Sequence, residues 1–164
     1  MIEIRPAGPQ DAEGVLAIYR PIVVETHVSF ELEAPTVAEM ARRMAAADGR
    51  HPWLVAADEE GLAGYAYATS FRARPAYEQT VETSVYVDAG RHRTGVARAL
   101  YLDLFERLRS AGVRSVIAGI ALPNDASVAL HERLGFTPVG VFHDVGRKFD
   151  RWWSVGFWER PIGE

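Results

Sequence analysis

Cysteine is absent from the 164-residue chain, which removes disulfides, thiolate metal ligands and a cysteine nucleophile together. Such a composition fits a reducing compartment. No apolar run approaches the roughly 20 residues a helix needs to cross a bilayer. Met1-Ile2-Glu3-Ile4-Arg5-Pro6 has neither the basic start nor the apolar stretch of a secretory signal, so a cytoplasmic protein without membrane attachment is expected. Positive charge is scarce: 18 Lys and Arg against 22 Asp and Glu leave a formal charge of −4, which argues against a broad nucleic-acid-binding face. The histidines His27, His51, His92, His131 and His143 show no paired ligand spacing, so no metal is expected. No Ser-His-Asp set suggests itself, and the Gly-Lys-Ser/Thr ending of a P-loop is missing. Repeats, linkers and low-complexity segments are also missing. What is present is 48% hydrophobic residues, enough for one core, so residues 1–164 read as a single domain.

Periodicity supplies the elements. Ile2 and Ile4 alternate with Glu3 and Arg5 as a short strand, and Gly8-Pro9-Gln10-Asp11 opens a helix with Val15, Ile18 and Tyr19 on its buried face. A second helical piece is expected over Ile22 to Thr26. A third starts at Pro35-Thr36, where Thr36 and Glu39 have capping-box spacing. Trp53 to Ala57 and Leu62 to Ser70 read as a hairpin around Asp58-Glu59-Glu60-Gly61, and Val81 to Val87 as the next strand. Ala97, Leu100, Tyr101, Leu104, Phe105 and Leu108 trace one face of a long helix that Gly112 ends. Ser115 to Ile120 is a continuous apolar strand, Asn124 to Leu134 a helix stopped by Gly135, and Phe136 to Phe142 and Trp152 to Glu159 the closing strands. This order predicts an α/β (α+β) sheet with two crossovers.

The segment Val85-Tyr86-Val87-Asp88-Ala89-Gly90-Arg91-His92-Arg93-Thr94-Gly95-Val96-Ala97-Arg98 carries the chemistry. It takes an apolar strand through a basic, glycine-containing turn into a helix. The first N–H groups of a helix have no intrahelical partner, so such a turn suits a phosphate, with nearby arginines adding charge. Strand-to-helix turns are also where sheets of this class gather ligands.

The turn His92-Arg93-Thr94-Gly95-Val96-Ala97 resembles the pyrophosphate loop of the GNAT superfamily of N-acetyltransferases, Gln/Arg-x-x-Gly-x-Gly/Ala, with His92 departing at its first position. Leu122-Pro123-Asn124-Asp125 and Leu134-Gly135-Phe136 resemble that superfamily's downstream segments. Thr26-His27-Val28-Ser29-Phe30-Glu31, Phe71-Arg72-Ala73-Arg74-Pro75-Ala76-Tyr77, Glu82-Thr83-Ser84-Val85-Tyr86-Val87 and Val155-Gly156-Phe157-Trp158 look like the phosphinothricin/methionine sulfoximine acetyltransferase branch. Separated matches in one order over nearly the whole chain make the likeness specific.

That resemblance implies a GNAT-like mixed, mostly antiparallel sheet of about seven strands flanked by helices, acetyl-CoA as co-substrate, and a homodimer. It implies that the backbone of Arg93, Thr94, Gly95, Val96, Ala97 and Arg98 cradles the pyrophosphate, with charge available from Arg91 and Arg93. Val85, Tyr86 and Val87 would pair with the pantetheine arm as an added strand would, one N–H polarising the thioester carbonyl. Asn124 reads as a helix N-cap that by resemblance also touches the cofactor. Glu82 is implied as general base: an α-amino group of pKa about 8 is mostly protonated at neutral pH, and a carboxylate can take that proton. His131 stands where the superfamily often has a tyrosine acid, although a helical histidine is often structural. Phe30, Arg72, Arg74, Tyr77, Glu82 and Thr83 would surround the acceptor. Arg72 and Arg74 share a side of an extended segment, as surface charge or as a bidentate clamp on a carboxylate or phosphinate, and Phe30 and Tyr77 are walls or core. The expected activity is acetyl transfer, within a ternary complex, to the α-amino group of a small amino-acid-like acceptor. A protein or peptide acetyltransferase and a non-catalytic acyl-CoA-binding module are the alternatives.

Overall fold

A computed structural model describes residues 1–163. The strands are β1 (Glu3–Pro6), β2 (Trp53–Asp58), β3 (Gly61–Ser70), β4 (Thr80–Val87), β5 (Ser115–Leu122), β6 (Thr137–Lys148) and β7 (Arg151–Pro161). The helices are α1 (Ala12–Glu25), α2 (Val37–Ala45), α3 (Val96–Ser110) and α4 (Asp125–Arg133). One seven-stranded sheet has the order β1-β2-β3-β4-β5-β7-β6, and β4–β5 is its parallel pair. All other neighbours run antiparallel.

Each face of the sheet buries one apolar cluster. Leu100, Tyr101, Leu104, Phe105 and Leu108 of α3 pack on Leu54, Ala66, Val81, Val116 and Ala118. On the other face Val15, Ile18, Tyr19 and Val23 of α1 and Met40 and Met44 of α2 cover Trp53, Val55 and Tyr65. The helical periodicity seen in α1 and α3 is therefore the periodicity of burial.

Two elements differ most from those expected. The piece predicted over Ile22 to Thr26 is the last turn of α1, which runs on through Pro21 to Glu25 because both sides of the proline bury apolar residues, Tyr19 and Val23 among them. The penultimate strand extends past Phe142 to Lys148, since a break in register between Phe142 and Gly146 lets pairing with β7 resume at Gly146↔Trp153. Thr36 caps α2 as its spacing requires, its Oγ1 accepting the Glu39 N–H at 3.1 Å.

Candidate active site

Parallel pairing between β4 and β5 covers only Thr80↔Ser115, Val81↔Val116 and Glu82↔Ile117. Beyond that point β4 pairs with β3 alone, through Val87, and β5 pairs with β7 alone, through Leu122. The strands splay, leaving one edge of Thr83 to Val87 without a strand partner. A narrow slot of about 50 Å³ opens there, with Thr83, Ser84, Val85, Tyr86, Gly119, Ile120, Asn124 and His131 among its lining residues. An unpaired strand edge is a template for an extended ligand.

The slot leads toward the start of α3. Gly95 precedes the helix at φ +85°, a left-handed conformation that costs glycine little, and Arg93 also has a positive φ of 63°. The first intrahelical bond is donated by Ala99 to Gly95 at 3.0 Å, so the N–H groups of Val96, Ala97 and Arg98 remain free of helical partners. His92, Arg93, Thr94, Gly95 and Arg98 are exposed there. Thr94 Oγ1 donates to the Arg91 carbonyl at 2.6 Å and His92 Nε2 donates to the Val87 carbonyl at 3.2 Å, so both side chains shape the turn. Arg91 does not supply charge to it, contrary to expectation. Its guanidinium pairs with Asp58 and, at 2.9 Å, with Glu60 on the β2–β3 turn.

Glu82 lies at the apex of the splay. Alternation along β4 sends Val81, Thr83 and Val85 toward α3, and therefore Glu82, Ser84 and Tyr86 toward α1 and α2. The carboxylate is half-buried beside Gly119 and the Phe157 ring, and burial raises its pKa above the ordinary value. No charged group contributes to that shift.

Asn124 caps α4 by accepting the Ser127 N–H at 3.2 Å, with its side chain at the slot. Phe30 is half-buried and lies against Gly146, where a Cβ would come within 2.2 Å of its ring. The loop carrying Phe30 is tied down on both sides. Buried Lys148 donates to the carbonyls of Val23 and Ser29 at 2.6 and 2.7 Å, while Glu31 accepts from Tyr19 and from Arg43 at 2.6 and 3.0 Å. Arg72 sits 5.1 Å from the Phe71 ring centre and 5.9 Å from that of Tyr77, and the two rings meet edge to face. Arg74 is exposed. Neither arginine is in an ion pair among the described residues.

The model of the acetyltransferase (GNAT) domain matches residues 4–155. The chain belongs to the GNAT acetyltransferase family. A phosphinothricin N-acetyltransferase from Streptomyces viridochromogenes is 42% identical to it over 98% of this chain and 88% of that one. An L-methionine sulfoximine/L-methionine sulfone acetyltransferase from Pseudomonas aeruginosa is 38% identical over 94% of this chain and 91% of that one. The crystal structure of a phosphinothricin acetyltransferase from Sinorhizobium meliloti, in complex with acetyl-CoA, superposes with a TM-score of 0.94 at 38% identity, covering 99% and 89% of the two chains.

Within this GNAT domain, two residues sit differently from the sequence reading. Thr83 is buried on the α3 face, away from the face that Glu82 shares. Its hydroxyl lies 3.1 Å from Tyr101 Oη, which lies 2.8 Å from His131 Nε2. His131 Nδ1 is 2.7 Å from the Ser127 carbonyl, an atom that can only accept, so Nδ1 carries the proton. Nε2 then accepts from Tyr101, and Tyr101 in turn accepts from Thr83. Burial pushes the His131 pKa down, partly opposed by the bond to Ser127, and the imidazole stays neutral with its one N–H committed. This arrangement does not present His131 as the acid that its position implied.

A stability prediction follows from that burial. Below an ordinary histidine pKa of about 6.5 the unfolded chain binds a proton that buried His131 does not, so the unfolded state gains protons relative to the folded one. The His131 contribution is therefore constant above that value and is lost as pH falls from it toward the lowered folded pKa. Melting temperature measured between pH 5 and 7.5 should fall on the acid side, and His131→Gln should flatten the slope.

Sequence reasoning passed over Gly119 and gave no site role to Phe157 or Tyr101, which it read only as part of a resembling segment and as core. Gly119 had a signal, being an isolated glycine inside an apolar strand, a common mark of close approach. It also missed a string in which Ser70 Oγ is 3.3 Å from His51 Nε2 and His51 Nδ1 is 3.0 Å from Asp48. Asp48 also accepts the N–H groups of Arg50 and His51 at 2.8 and 2.9 Å, so the string pins the α2–β2 turn to the end of β3.

Proposed function

We propose that this acetyltransferase moves an acetyl group from acetyl-CoA to the α-amino group of a small amino-acid-like acceptor of the methionine sulfoximine, methionine sulfone or phosphinothricin type. The observation that carries the reading is the half-buried Glu82 carboxylate at the apex of the β4–β5 splay, in no ion pair among the described residues. The residues fit acetyl-CoA. Free N–H groups of Val96, Ala97 and Arg98 behind Gly95 suit a pyrophosphate, and the unpaired edge of Val85 to Val87 suits the pantetheine amides. Bound acetyl-CoA supplies an activated thioester.

The protein's own groups do the rest. Glu82 takes a proton from the acceptor ammonium, directly or through one water, which frees the nitrogen lone pair to form the amide bond as the thioester C–S bond breaks; the second proton that the nitrogen sheds goes to the departing thiolate by way of water. Backbone N–H groups at the slot donate to the acyl oxygen as it gains negative charge, fixed donors that need no reorganisation. Arg72 and Arg74 hold the acceptor carboxylate or phosphinate, with Phe30 and Tyr77 against its carbon chain. His131 holds Tyr101, and through it Thr83, at the wall of the slot. Direct transfer needs both substrates bound together.

Comparison of methionine sulfone with a peptide bearing a free N-terminus tests the acceptor class. Saturable release of free thiol with the sulfone and a rate near background with the peptide are expected; the reverse order would favour a peptide acetyltransferase.

A homodimer is part of the same proposal. Edge strand β6 exposes Val139, Val141, Phe142 and Val145, and Trp152 of β7 is exposed beside them, while Trp153 and Trp158 are buried. A long apolar edge invites pairing, and a second copy would cover it. Sedimentation should find dimers at micromolar concentration, and Val139→Lys with Val141→Lys should convert them to folded monomers. A monomeric parent would contradict this.

A further inference from the structure

Glu82 and Gly119 belong to strands that have just parted. The last parallel pair is Glu82↔Ile117, and Gly119 lies two residues further along β5, on the same face of the sheet as Ile117. Across the antiparallel pair Gly119 stands opposite Phe157. A Cβ placed on Gly119 would lie 3.3 Å from Glu82 Oε1 and 3.1 Å from Phe157 Cε1, both shorter than ordinary carbon contacts. The ring is braced behind by Phe142, whose ring meets it edge to face at 5.6 Å. A carboxylate on a flexible side chain gives way more easily than a braced ring or a paired strand.

We infer that Gly119 is a positioning residue for Glu82: the bare backbone of β5 at that point is what leaves room for the carboxylate at the apex of the splay, on the side where the Phe157 ring also lies. The inference rests on Glu82 acting as the base. Around the carboxylate, β3 presents Thr69 in register and the Tyr67 phenol further along, β5 presents Ile117 and Gly119, and β7 presents Phe157. None of these side chains is charged at neutral pH. With no ion pair to hold the carboxylate among the described residues, its place is set by shape. A methyl group at position 119 shifts it by tenths of an ångström, out of line with the acceptor nitrogen and toward a more polar setting.

The test is a double-mutant cycle on the full chain with Gly119→Ala and Glu82→Gln, reading kcat, both KM values and the pH profile of kcat/KM for the acceptor. Gly119→Ala is expected to lower kcat by about 3- to 10-fold, because the contact requires a shift of tenths of an ångström and a full ångström costs about 100-fold. The acid limb should move to lower pH. In the Glu82→Gln background the same methyl should cost nothing further, because there is no base left to displace. An unchanged kcat and limb in Gly119→Ala, or an equal loss in both backgrounds, overturns the positioning role. Wild-type turnover in Glu82→Gln alone instead overturns the base, which keeps the two failures distinct. Should Gly119→Ala fail to fold, Phe157→Ala is compared with Phe157→Ala/Gly119→Ala, where the methyl meets only the carboxylate. A further fall in kcat is expected there, and its absence overturns the inference.

Discussion

Glu82→Gln should lower turnover by about 10²- to 10⁴-fold, the usual contribution of a general base, with acetyl-CoA affinity unchanged. The argument rests on what surrounds the carboxylate. It is half-buried without a cation, so burial alone shifts its pKa, and the shift is upward. A base must be deprotonated to act, so kcat/KM for the acceptor should fall as pH drops through that raised value, at higher pH than an ordinary glutamate would give. The same shift has a thermodynamic side. A carboxyl whose folded pKa lies above its unfolded one destabilises the fold while ionised, and glutamine removes that charge. Melting temperature of Glu82→Gln at pH 7 should therefore equal or exceed that of the parent. A variant that loses activity and stability together would point to a structural role.

Removing both guanidiniums with Arg72→Ala and Arg74→Ala should cut kcat/KM for the acceptor by about 100-fold while the KM for acetyl-CoA stays put. One charge-assisted hydrogen bond contributes about 1.5–3 kcal/mol, and exposure here places the pair at the low end. Arg72 is already oriented, its guanidinium lying against Phe71 and Tyr77, so little entropy is lost when it closes on an anion. Lysine at both positions should restore only part of the loss, because an ammonium cannot grip two oxygens in one plane. An acceptor KM unchanged in the alanine variant would remove the clamp.

The legible parts of this molecule were those written in local pattern. Thr36 and Glu39 announced the start of α2, and the apolar spacing from Ala97 to Leu108 announced α3 and its buried face. Gly95 marked a backbone turn that only its φ of +85° explains. What stayed hidden depends on register between distant segments. The pairing of Arg91 with Asp58 and Glu60 joins residues about 30 positions apart, and nothing near Arg91 reveals it. For His131 the sequence left two readings, an acid implied by resemblance and a structural helical histidine, and only the fold shows Tyr101, one whole βα unit upstream, at its Nε2. Pro21 read as a break because local propensity ends a helix there, whereas packing on both sides carries α1 through it. Family resemblance supplied candidate site residues that pattern alone could not, and the family match extends over residues 4–155.

The most direct measurement is release of free thiol from acetyl-CoA across a panel of ordinary amino acids and amino acids with sulfoximine, sulfone and phosphinate side chains, alongside calorimetric binding of CoA. Turnover concentrated on the sulfoximine, sulfone or phosphinate members, with CoA bound, is the predicted result. CoA binding with no thiol released on any member of the panel would contradict the account.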